Sequence, residues 1–276
     1  MQKIGIISLG LIGGSILKSL SNYKNIELCA YTTNDNTINK AKKFTTNVSN
    51  DLNNLKFCDV IFVCSPISKI EEMLQKLNGF VSPNTIVTDV ASVKNIFMNK
   101  TYNFNFIGSH PMAGTEHTGF DYSNENMFNG AKWVITPKEN ENVKNIETLK
   151  NIITYTKAKP IIMDANEHDL AVALISHMPL ILSQGLFKNI ENNDDAKLLA
   201  SSGFRDMTRL AMSNTQMASD MLTYNGKNII NAFKMLENSI KNLIDDNKYL
   251  DIIQNISENR KKMYDENGVN NINLNH

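Results

Sequence analysis

Along the first part of the chain, short apolar runs recur, each closed by glycine, proline or a cluster of polar residues. Residues 2–7 read as a buried strand, residues 8–15 as a glycine-containing turn, and a helix follows as far as Leu20. Residues 26–31, 60–64 and 86–90 are further runs of strand length, and Pro66 stops the second of them. Residues 106–107 lead into a loop around His110, and residues 133–136 and 160–163 read as late strands. Unbroken apolar runs indicate strands buried on both faces. Helical segments between them indicate a mostly parallel sheet, covered on each side. From residue 165 onward the pattern changes. Leu170, Val172, Leu174 and Ile175 open a long apolar helical stretch, and Ile229, Ile230, Phe233, Leu236 and Ile240 recur at helical spacing. These helices are apolar over more than one face, which predicts burial against a second subunit as a homodimer. A self-contained bundle is the alternative.

Composition narrows the picture. Of 276 residues, 42% are hydrophobic and 20% charged, so a packed core is available and wholesale disorder is excluded. Lys+Arg and Asp+Glu are 28 each, without the basic excess of a nucleic-acid binder. No apolar run is expected to reach membrane-spanning length, and no signal-peptide pattern opens the chain. Cys29, Cys58 and Cys64 are odd in number and lack metal-ligand spacing, so no metal is expected and a reducing, cytoplasmic location is the simplest reading. Two of the three arginines, Arg205 and Arg209, fall in one short segment. The guanidinium fork suits carboxylate recognition; two surface charges on a helix are the alternative.

A strand, a glycine turn and a helix start form a pyrophosphate site, because glycine admits the phosphates and the helix end supplies free N–H groups. Gly10 and Gly13 match the second and third fingerprint glycines, and Ser8 stands where the first belongs. Leu11 and Ile12 in the same turn, Thr32 and Ser65 complete the expected cofactor contacts. Thr32 occupies the place where NAD enzymes carry an acidic residue for the ribose hydroxyls. NAD is favoured and NADP stays open. The predicted fold is therefore α/β: a Rossmann-like dinucleotide-binding domain over residues 1–163, an all-helical substrate and dimerisation domain over 164–265, and a polar tail over 266–276.

His110 stands between a glycine and Pro111, in a stiff non-helical segment, where a group titrating near neutrality is a natural general base. The runs at residues 8–15, 88–94, 108–116 (Gly-Ser-His-Pro-Met-Ala-Gly-Thr-Glu), 176–179 and 203–209 resemble, in order, the motifs of the prephenate and arogenate dehydrogenases. That resemblance implies oxidative decarboxylation of prephenate to 4-hydroxyphenylpyruvate in tyrosine biosynthesis, with arogenate as the alternative substrate. It gives His110 the hydroxyl proton and places Ser92 against both histidine and nicotinamide, although Ser92 could instead cap a helix starting at Val93. Arg209 is expected on a substrate carboxylate, Thr115 near the substrate, and Glu116 at the pocket entrance. Asp206, three residues before Arg209, would hold Arg209 or His110 in place. His177 matches a family position whose usual second histidine, three residues on, is here Leu180; a satisfied helix histidine is its alternative. His117 and His168 read as structural or exposed.

Overall fold

The computed structural model describes residues 1–115, 117–245 and 249–264. Glu116 and the tail over 266–276 lie outside the described residues. The chain divides into two compact units, Met1–Ile229 and Ile230–His276.

The first unit opens with β1 (Gln2–Ile7), α1 (Leu11–Leu20), β2 (Ile26–Tyr31), α2 (Asp35–Ala41) and β3 (Asn47–Ser49). There follow β4 (Val60–Val63), α3 (Ile67–Leu77), β5 (Ile86–Asp89), α4 (Asn95–Met98) and β6 (Asn105–Phe106). Six strands form one sheet in the order β3-β2-β1-β4-β5-β6, with every pair parallel. Apolar side chains leave the central strands on both faces. Ile4, Ile6 and Phe62 meet Ile16, Leu17 and Leu20 of α1. Ile7, Ile61 and Val63 meet Ile70, Leu74 and Leu77 of α3. Each such side chain stabilises the fold by about 1.5–3 kcal/mol, which explains why these runs read as continuous. The strand order reverses between β1 and β4, and that reversal opens the crevice in which such sheets take ligands.

At Ile107 the chain changes sheets. Ile107 N still donates to Val87 O at 3.0 Å, but β7 (Gly108–Pro111) pairs antiparallel with β8 (Lys132–Thr136). After α5 (Val143–Tyr155), β9 (Lys159–Ile162) pairs parallel with β8. His110 thus lies on a strand opposite Val134 and not in the expected loop. The backbone bonds to β8 stiffen it. Gly108 permits the pairing, since a Cβ there would lie 2.5 Å from Thr136 Oγ1.

Next come α6 (Ala165–Val172), a π-helical turn (Ala173–His177) and α7 (Met178–Ile190). Together they form a helical run of 26 residues that contains an 18-residue stretch of mean hydropathy 1.7, long and apolar enough by length and composition to cross a membrane. This corrects the expectation that no run reaches that length. Its inward face carries His168, Asp169 and His177, all buried, whereas Leu170, Leu174 and Ile175 on the other side are exposed. α8 (Asp194–Leu199), α9 (Ser202–Met207), a 3-10 turn at Arg209–Met212 packed on α7, and the start of α10 (Thr215–Asp245) complete the unit. The second unit holds the remainder of α10 and α11 (Tyr249–Met263), with Ile230, Met235, Ile240, Ile244 and Leu250 exposed.

Candidate active site

The carboxyl ends of β1 and β4 form a cradle. Ser8, at the place of the first fingerprint glycine, has φ 68°, a left-handed conformation that costs an L-residue about 1–2 kcal/mol. Its Oγ lies 2.7 Å from Ser65 Oγ, so one hydroxyl pair ties together the loops flanking the strand-order reversal. A Cβ at Gly13 would fall 2.2 Å from Ser8 O, so only glycine lets α1 pack on this turn. A Cβ at Gly10 would meet nothing within 4 Å, which leaves space in front of the helix. α1 has no side-chain cap and no acidic residue in its first turn. The N–H groups of Leu11, Ile12 and Gly13 therefore stay available for a pyrophosphate, and these residues fit a dinucleotide. Thr32, at the end of β2, is buried, and its Oγ1 lies 3.5 Å from Asn34 N.

β5 ends on Asp89, which is fully buried. Its carboxylate accepts from Ala91 N at 3.0 Å and Ser109 N at 3.1 Å, and it is ion-paired with the equally buried Lys94 ammonium. Lys94 Nζ also donates to Ser109 O at 2.6 Å. Burial pulls the Lys94 pKa down, and Asp89 opposes that pull. Ser109 Oγ donates to Asp89 O at 2.7 Å and accepts from Thr88 Oγ1 at 2.9 Å and Trp133 Nε1 at 3.1 Å. These bonds lock β7 onto the end of β5 and so set the position of the next residue, His110.

His110 Nδ1 lies 2.9 Å from His168 Nε2, and His168 Nδ1 lies 2.8 Å from Asp169 Oδ1. Asp169 also accepts from Lys94 N at 2.8 Å and Asn95 N at 2.9 Å, which docks α6 on the start of α4. Asn225 Nδ2, from α10, is bonded to Asp169 O at 2.9 Å and to His177 Nδ1 at 3.0 Å. His177 Nε2 and Ser92 Oγ are buried and have no hydrogen-bond partner among the described residues, as suits groups awaiting a ligand. Burial, and then the His168, Lys94 and His177 charges, hold the His110 pKa well below its ordinary value. His177, on the π turn, is lowered to about 4 mainly by burial.

The His177 shift has a consequence for stability. Above its ordinary value of 6.5 the imidazole is neutral in folded and unfolded chains alike. Between 6.5 and about 4 the unfolded chain takes up the proton and the folded one does not. Stability is therefore expected to fall by about 3 kcal/mol across that window as the pH drops, with His110 acting in the same direction. Urea titrations at stepped pH should show the decline, and a smaller one in His177→Asn. An unchanged slope in that variant would assign the decline elsewhere.

The structure brings His110 and His177 together and adds four residues that sequence reasoning missed: His168, Asp169, Lys94 and Asn225. His168 was expected to be structural or exposed; it is 1% exposed and bonded to His110. The available signal was a His–Asp pair in an apolar helix, one turn after an Asp at the helix start. Ser92 does not cap a helix at Val93: α4 begins at Asn95, and its leading N–H groups go to Asp169. Asp206 pairs with Arg205 at 3.5 Å and not with Arg209 or His110. Arg209 is exposed and lines a cavity of about 440 Å³ with Phe187, Arg205, Asp206, Thr208, Ala211 and Met212. Thr115 is exposed, and its Oγ1 accepts from His117 N at 3.3 Å. Among the described residues no group of three or more His, Cys, Asp or Glu could hold a metal ion.

Residues 17–162 match the family model "Prephenate dehydrogenase, nucleotide-binding domain", and residues 164–257 match "Prephenate dehydrogenase, dimerization domain". The chain belongs to the prephenate dehydrogenase family. It is 30% identical to a prephenate dehydrogenase of Lactococcus lactis over 241 residues, covering 82% of this chain and 65% of the relative. A Bacillus subtilis prephenate dehydrogenase is likewise covered over 65% of its length, so the chain spans just under two thirds of these curated relatives. Among solved structures, the Synechocystis arogenate dehydrogenase superposes with TM-score 0.83 at 32% identity, over 95% of this chain and 99% of the other. The prephenate dehydrogenase of Aquifex aeolicus, in complex with hydroxyphenyl propionate and NAD+, gives TM-score 0.85 at 26% identity, over 95% and 98%. The glycine cradle lies just before the stretch matched by the nucleotide-binding model, and α6 to α10 fall within the stretch matched by the dimerisation model.

Proposed function

We propose that this chain catalyses the oxidative decarboxylation of prephenate to 4-hydroxyphenylpyruvate with NAD+. The observation that carries the reading is the placement of His110: β7 holds it at the β5 end of the sheet, on the same strand-end edge as the glycine cradle. Its Nε2 makes no hydrogen bond among the described residues. Bound NAD+ supplies the acceptor for the hydride from the hydroxyl-bearing ring carbon. Ser8, Gly10, Leu11, Ile12, Gly13, Thr32 and Ser65 would hold that cofactor. His110 Nε2 takes the hydroxyl proton as the carbonyl develops. Loss of the ring carboxylate as carbon dioxide aromatises the ring, and His110 returns the proton to the resulting phenolate oxygen. Ser92 Oγ, buried and unpartnered, orients the reacting groups. His177 is a substrate contact, Thr115 borders the pocket, and Asp206 flanks Arg209.

Arg209 pairs with a substrate carboxylate. Arg209→Ala is expected to weaken kcat/KM by about 2–4 kcal/mol, mostly through KM. An unchanged KM would move the carboxylate contact elsewhere. A homodimer belongs to the same reading, supported by the dimerisation-domain match and the exposed apolar residues of the helical part, as does a cytoplasmic location.

The likeness to an arogenate dehydrogenase favours a second reading, in which arogenate is converted directly to tyrosine. Thr32, which is not acidic, also keeps NADP+ in play. Prephenate and arogenate, each offered with NAD+ and with NADP+, separate the four combinations through reduced-nicotinamide absorbance. The proposal predicts the fastest signal with prephenate and NAD+. Silence in all four, with an active control enzyme, would overturn both readings.

A further inference from the structure

We propose that Asp169 and His168 form a relay with His110 that fixes His110 Nε2 as the base and moves the charge of the accepted proton onto His168, beside Asp169. The proposal deepens the dehydrogenase reading and rests on it.

Asp169 is 3% exposed, and N–H donors meet both its oxygens: Lys94 N and His168 Nδ1 at Oδ1, Asn95 N at Oδ2. This donor set occupies both carboxylate oxygens as acceptors and leaves His168 Nδ1 the role of donor. His168 Nε2 then carries a lone pair. At 2.9 Å from it, His110 Nδ1 must donate, because the other tautomer would press two lone pairs together inside the protein. The lone pair of His110 therefore resides on Nε2, the nitrogen with no hydrogen-bond partner among the described residues.

The groups facing His110 are His168 and Asp169 from α6, Lys94 from the segment before α4, His177 from the π turn, and Asp89 from β5 behind Lys94. Asp89 is taken up by Lys94. A positive charge left on His110 would face the Lys94 cation; on His168 it would lie against Asp169. The substrate proton enters at His110 Nε2, and the Nδ1 proton of His110 passes to His168 Nε2. His110 becomes neutral again, and His168 becomes an imidazolium paired with Asp169. Aromatisation reverses both transfers and delivers the proton to the phenolate, so no proton is gained or lost. Burial makes His110 alone a weak base near neutrality, which gives the second histidine its purpose.

The chain has five histidines, which suits selective ¹⁵N-histidine labelling of the full-length protein. Long-range ¹⁵N–¹H spectra at neutral pH should show Nδ1–H on both His110 and His168, with Nε2 of each unprotonated. An Nε2–H signal on His110 would overturn the relay, whatever the enzyme's substrate proves to be. In turnover, His168→Gln keeps a hydrogen-bond acceptor beside His110 but cannot take a proton. It should lower kcat by about 10²-fold or more, leave KM within a few-fold, and shift the acid limb of the kcat profile. A wild-type kcat and pH profile in His168→Gln would overturn the proton path. If no substrate mixture turns over, the dehydrogenase reading fails by itself, and the tautomer spectra still decide the relay.

Discussion

His110→Asn is expected to lower kcat by about 10²–10⁴-fold, the usual contribution of a positioned general base, while dissociation of the nicotinamide cofactor changes little. The backbone of residue 110 keeps its ladder bonds to β8 and the asparagine side-chain amide can still donate to His168, so β7 should stay in place. Nothing else in the described site offers a lone pair at the position of His110 Nε2. His168 Nε2 is committed to His110, and His177 Nδ1 to Asn225. The small effect on cofactor binding follows from the layout, because the cradle is built from Ser8, Gly10 and Gly13 at the ends of β1 and α1. Fluorescence titration of the cofactor beside steady-state kinetics checks both halves. Near-normal turnover would remove His110 from the base position, and lost cofactor affinity would mean that the variant has disturbed more than proton transfer.

Lys94→Met is expected to destabilise the fold by about 3–5 kcal/mol, the effect of breaking a buried ion pair from one side. Lys94 and Asp89 are each fully buried, and the methionine side chain occupies a similar volume without a charge. Asp89 keeps its bonds from Ala91 N and Ser109 N but loses its counter-ion, and Ser109 O loses its donor. The damage extends to activity, because those bonds hold β7 and hence His110. Lys94→Met combined with Asp89→Asn removes the stranded charge and should recover part of the loss. The urea midpoint should drop in the single variant and partly return in the double one, with the slope of the transition unchanged. A loss below about 1 kcal/mol in the single variant would show that the pair is relieved by water or by neutralisation.

Much of the framework was legible in the amino-acid order. β1, β4 and β5 are buried on both faces, and an unbroken apolar run is the direct imprint of that burial. The glycine turn declared itself through Gly10 and Gly13, although Ser8 hides its left-handed backbone behind a residue type that seldom adopts one. The passage of the chain from one sheet to the other at Ile107 left no local trace, because both strands that it joins are short and β7 reads Gly-Ser-His-Pro, a turn-like sequence. His110 therefore read as a loop residue. The dyad behind it was obscured for a related reason. In a helical run whose sequence is apolar on more than one side, His168 and Asp169 are set apart only by partners remote in sequence: Lys94, Asn95 and His110. Ser92 was ambiguous because a serine before a helix usually caps it. Here a carboxylate from α6 has taken that role, and the hydroxyl is left unpartnered.

The most direct test of the account follows carbon and hydride together. Prephenate labelled in its ring carboxylate is turned over with NAD+, and labelled carbon dioxide is counted against reduced nicotinamide. The account predicts one carbon dioxide for every hydride transferred, with both falling in parallel in His110→Asn. Reduced nicotinamide without labelled carbon dioxide would contradict it, as would turnover in His110→Asn at the wild-type rate.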